Sequence, residues 1–253
     1  MKMLFIRLLS WLTGIFALWV SFVSFHNPFW YPFPQLAFLA WFLFAILALG
    51  GKRGKKEAFQ KLVPAFLAAC GACLVLLVAE EPMQRVLISL SLITLSWLPL
   101  ELFFLSVYDT THYPVHGISH INVALAPLAI FYAAAGIAGL RVFVDAPWWL
   151  PFMVLIPLSA VLFTTTEHPI ADVAHRRRWR WIGALIGAHL AVFLIILPIN
   201  LWAQGVLAAL FFALPLRLRR YAFATVPSHR VTWIESSCGI FLLLFILLAT
   251  AWA

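Results

Sequence analysis

Apolar residues run along this chain in long blocks, and polar residues collect in the short gaps between them. A helix that crosses about 30 Å of hydrocarbon needs roughly 20 apolar residues at 1.5 Å each, and about 17 suffice at low tilt. Nine blocks meet or approach that length: 8–25, 33–50, 61–79, 86–107, 119–140, 147–165, 181–198, 200–216 and 231–252. The pattern predicts an all-α polytopic transmembrane bundle that forms a single integral membrane domain over 1–253. Blocks seven and eight are separated only by the stretch from Pro198 to Asn200.

Basic residues give an independent check on that count. With the N-terminus inside, the inner loops are 51–60, 108–118, 166–180 and 217–230, and 15 of the 17 Lys and Arg residues fall inside or at inner helix ends. Only Arg85 and Arg141 fall outside. Cytoplasmic loops collect Lys and Arg, so the expected topology is nine spans, N-terminus in and C-terminus out. The run from Trp181 to Leu216 has RRRWR before it and RLRR after it. Both flanks belong on the same side, so the run is expected to be a hairpin. The outer segments HNPFWYPFP (26–34) and Pro147-Trp148-Trp149 are expected to form the aromatic belt at the lipid–water interface.

Composition agrees. The chain has 253 residues, 64% hydrophobic and 10% charged, where a soluble domain carries roughly 25% charged residues. Such a chain cannot cover a water-facing surface, which excludes a secreted or cytosolic globule. The net charge of +8 follows from the loop arginines and lysines, so nucleic acid is not an expected partner. A cell membrane is the expected location, and the bacterial cytoplasmic membrane fits best. The first block follows Lys2 and Arg7 like a signal peptide, but it exceeds the ~7–15 residues of a secretory apolar region and lacks a small-x-small site, so it is expected to stay as a span. Cys70, Cys73 and Cys238 all lie in apolar blocks and imply no disulfide framework. The CxxC pair reads as small residues in a helix interface, and so do Gly183 and Gly187, which let two helix backbones approach closely.

The rare polar residues are placed unevenly. Six of the eight histidines and five of the nine acids, with Glu57 of the first inner loop left aside, gather in one expected cytoplasmic layer. Glu101 and Asp109 lie at the end of the fourth block, and YDTTHYPVHGISHIN adds His112, His116, His120 and Asn122. TEHPIADVAH supplies Glu167, His168, Asp172 and His175, and His229, Arg230 and Glu235 open the last block. Ionisable groups at membrane depth are costly and are functional candidates by default. Imidazole and carboxylate together suit a divalent metal, zinc or iron, so His112, His116, His120, His168, Asp172 and His175 are the candidate ligands. A helix starting at Pro114 would pair His116 with His120 and leave His112 in the preceding loop. Glu101, Asp109, Glu167 and Glu235 are the candidate acids and bases, and Arg176, Arg177, Arg178 and Arg180 the candidate contacts for an anionic headgroup. The opposing reading makes Glu101 and Glu235 partners of Arg or His that pin the bundle together. His189, midway along the seventh block, reads as a satisfied core histidine.

Two short motifs invite comparison with protease families. Gly136-Ile-Ala-Gly139 followed by Gly-Ala-His189 resembles rhomboid proteases, but Ala138 stands where the nucleophile would be, and alanine cannot attack a peptide bond. Glu80-Glu81-Pro-Met-Gln-Arg85 with His168-x-x-x-Asp172 is similar to the boxes of CAAX-type proteases, but the expected topology puts the two motifs on opposite faces. Three functional classes remain. One is a non-catalytic bundle that assembles with lipid, with another membrane protein or with itself. The second is an interfacial enzyme, with or without a divalent metal, acting on a lipid or lipid-linked substrate. The third is a permease for an apolar or weakly polar small molecule.

Overall fold

The computed structural model describes residues 2–51, 54–114, 117–166, 173–197, 199–219 and 229–249. Among them are nine α-helices, joined by turns and a short 3₁₀ segment, Pro28–Trp30. In chain order they are α1 (Lys2–His26), α2 (Phe33–Leu49), α3 (Lys55–Val78), α4 (Pro82–Tyr108), α5 (Gly117–Val144), α6 (Leu150–Thr165), α7 (Val173–Ile196), α8 (Leu201–Leu218) and α9 (His229–Ala249). Six of them (α1, α3, α4, α5, α7 and α8) contain stretches long and apolar enough to cross a membrane. Phe33–Leu49, Leu150–Thr165 and Trp233–Ile246 are shorter apolar stretches. The chain is a helical bundle of the membrane type.

Helix ends follow local chemistry. Prolines occupy the first turns of α2, α4 and α6, where the missing N–H would have had no intrahelical partner. Pro64, Pro99, Pro127, Pro157 and Pro215 lie inside helices, as membrane helices tolerate better than soluble ones. Several helices extend beyond the apolar blocks. The third block starts at Leu62's neighbourhood by apolarity alone, yet α3 begins at Lys55, and its polar first turns carry a Lys61–Glu57 pair at 2.8 Å. Charged residues one turn apart support a helix that has left the hydrocarbon.

Contacts divide the chain into two compact units, 1–125 and 126–253, with the division inside α5. In the first unit α1 lies against α2 and α4, and α3 lies against the same two helices. Phe38, Phe42, Phe103, Ile46, Leu62 and Leu92 are fully buried there. Asn122, in the first turns of α5, donates to the Lys61 carbonyl at 2.8 Å.

The second unit centres on the α6–α7 pair. A Cβ added at Gly183 would sit 2.7 Å from the Ser159 carbonyl oxygen and 2.8 Å from Phe163 Cβ. One added at Gly187 would run into the Leu155 carbonyl and lie 2.8 Å from Ile156 Cα. The Gly183-x-x-x-Gly187 motif is therefore the seam between these two helices. The break between α7 and α8 is equally well defined. Asn200 Oδ1 accepts from the Trp202 N–H at 2.9 Å and caps α8, while Gln204 Nε2 donates to the carbonyls of Leu197 at 2.8 Å and Ile199 at 3.2 Å. A polar turn closes this connection, so the run from Trp181 to Leu216 is two helices. From the end of α5, Arg141 donates to the Leu194 carbonyl at 2.9 Å, in the last turn of α7.

Candidate functional site

In the first unit, Glu101 is the most buried of the candidate acids whose side chains are described. It sits on α4 with 9% of its surface exposed. Its Oε1 accepts from Arg7 Nε at 3.2 Å and its Oε2 from the Ser10 hydroxyl at 2.6 Å, both on α1. Ser10 is itself fully buried and also reaches the Arg7 carbonyl at 2.9 Å. A carboxylate taken from water needs such partners, and hydrogen bonds to a charged group are stronger than neutral ones. The arrangement ties α1 to α4 at one end.

Asp109 follows the end of α4 and belongs to a separate exposed turn. Its carboxylate accepts from the Thr111 hydroxyl at 2.8 Å and lies 2.9 Å from His112 Nδ1. The hydrogen bond from His112, followed by that from Thr111, holds the Asp109 carboxyl below the usual carboxylate range. Asp109 and His112 are thus brought together and Glu101 is engaged elsewhere. The α5 helix starts at Gly117, three residues after Pro114. The Tyr113 hydroxyl accepts from the Ile118 N–H at 3.0 Å, so a tyrosine holds the N-terminus. His112 lies in the preceding loop, as expected, and His120 lies exposed in the first turn of α5. His116 falls outside the described residues.

In the second unit, Arg176, Arg177, Arg178 and Arg180 lie near the start of α7 with exposed side chains. Glu235, on α9, receives Arg217 of α8 at 2.9 Å. Glu167, His168 and Asp172 lie outside the described residues, and so does the side chain of His175. Among the described residues, no three His, Cys, Asp or Glu side chains are grouped to hold a metal ion.

Arg219 is the residue that the charge pattern concealed. It is 7% exposed, donates to the Phe163 carbonyl, and sets its guanidinium 5.5 Å from the Phe163 ring centroid and 5.2 Å from that of Trp179. Those two rings are themselves stacked, with centroids 6.1 Å apart. Arginine suits such a site because its planar, weakly hydrated cation packs on aromatic faces. The signal in the sequence was Trp179 inside RRRWR, an aromatic placed among cations.

His189 departs from the core reading. It is exposed, and its Nδ1 lies 2.8 Å from the Leu185 carbonyl one turn earlier. A histidine that satisfies itself from its own helix needs no interior partner. Ala138 of the glycine motif is buried in α5. Cys73 is buried, Cys70 half-buried and Cys238 exposed, all as free thiols. Comparison with protein-family models, with curated proteins and with solved structures finds no match to the chain.

Proposed function

We propose that this protein is a non-catalytic multi-pass membrane bundle that works by assembly with lipid and with another membrane protein or a second copy of itself. One observation carries the reading: the two candidate acids that face neighbouring helices, Glu101 and Glu235, are each engaged by an arginine, Arg7 and Arg217. Carboxylates used in this way hold helices in register, and a general base would have to break its ion pair before acting. The proposed topology is nine spans, N-terminus in and C-terminus out, in a cell membrane. The shorter helices α2 and α6, with 17 and 16 residues, then cross at low tilt, each spanning about 25 Å.

A second reading has its own support. The exposed arginines of α7 form a cationic stripe suited to anionic headgroups, as an interfacial enzyme for a lipid or lipid-linked substrate would require. Its metal-dependent form takes zinc or iron on His112, His116, His120, His168, Asp172 and His175, with Asp109 or Glu167 as base.

Metal analysis of the purified full chain separates the two. The bundle reading expects well under one zinc or iron per chain, unchanged by His112→Ala and His120→Ala. Stoichiometric metal that falls in those variants would establish the enzyme reading instead.

A further inference from the structure

We draw no further inference here: the strongest candidate, the side-chain cluster at the start of α2 in which Gln35 donates to the Ser24 hydroxyl of α1 at 2.6 Å and its Oε1 meets no donor among the described residues, carries nothing because that oxygen is closed off on every side and leaves no room for a ligand.

Discussion

Glu101 shows how far a single residue could be read. Its position in an apolar block marked it as costly and therefore partnered, but its partner, Arg7, is 94 positions away, and no spacing rule reaches so far. Truncating it would leave Ser10 only the Arg7 carbonyl as an acceptor, and Arg7 without its counter-charge. Glu101→Ala should therefore cost about 1–3 kcal/mol of stability in detergent. Arg7→Ala should cost less, since the Arg7 side chain is 57% exposed and exposed pairs contribute little. Thermal unfolding of the two variants checks the order. Asp109 provides a second test. Its carboxyl titrates below the usual range when the turn is formed, so the turn favours the ionised form. That contribution is complete above the unfolded pKa and is lost as pH falls through the lower, folded one. The protection of the His112 amide, relative to its unstructured rate at each pH, should fall as the pH drops through the lowered Asp109 pKa, and Asp109→Asn should remove that pH dependence.

At the scale of elements, more was legible. The apolar blocks overlap each of the nine helices among the described residues, and the errors lie at the ends, where chemistry other than hydropathy decides. The Tyr113 hydroxyl sets the start of α5 and the Glu57–Lys61 pair lengthens α3. Gly183 and Gly187 were readable as a close-packing face, although their partner, α6, was not. In hydrocarbon, helices gain little from hiding apolar surface from one another, so contact geometry carries much of their association. Gly187→Ala should accordingly destabilise the second unit by about 1–3 kcal/mol through overpacking against α6. Gly187→Leu should lower the yield of folded chain further. Gly205→Ala is a useful comparison, since a Cβ there would meet Phe131 at 3.0 Å on a different helix. Denaturation in detergent ranks all three. The same seam shows that this GxxxG face is already occupied within the chain, so an outside partner would have to use another surface, such as the exposed apolar face of α9.

For the whole molecule, charge placement is the strongest organising signal, and the proposed topology depends on it. Changing Arg176, Arg177, Arg178 and Arg180 to Gln should weaken binding to vesicles containing phosphatidylglycerol by about 1 kcal/mol for each charge near the surface. Reporter fusions after α6 and after α8 should at the same time show mixed orientations. Fusions that stay uniform would mean that the remaining loops fix the topology alone. The candidate site was harder to read than the fold, because hydropathy is a property of one segment whereas a site requires side chains from several. His112, His116 and His120 shared a spacing, yet α4 ends at Tyr108 and α5 begins at Gly117, so His112 and His120 share no helix.

The turn that joins α7 to α8 has a further consequence, for how the chain reaches its membrane. Asn200 and Gln204 give this turn hydrogen-bond partners from within the α7–α8 segment, and Arg141 of α5 adds one more at the Leu194 carbonyl. In hydrocarbon each bare carbonyl or N–H would cost several kcal/mol, and under the proposed topology this turn crosses that layer. Under the proposed topology, the polar residues at 200 and 204 should ease the insertion of α7 and α8 as a pair, and Gln204→Leu should lower the yield of inserted chain.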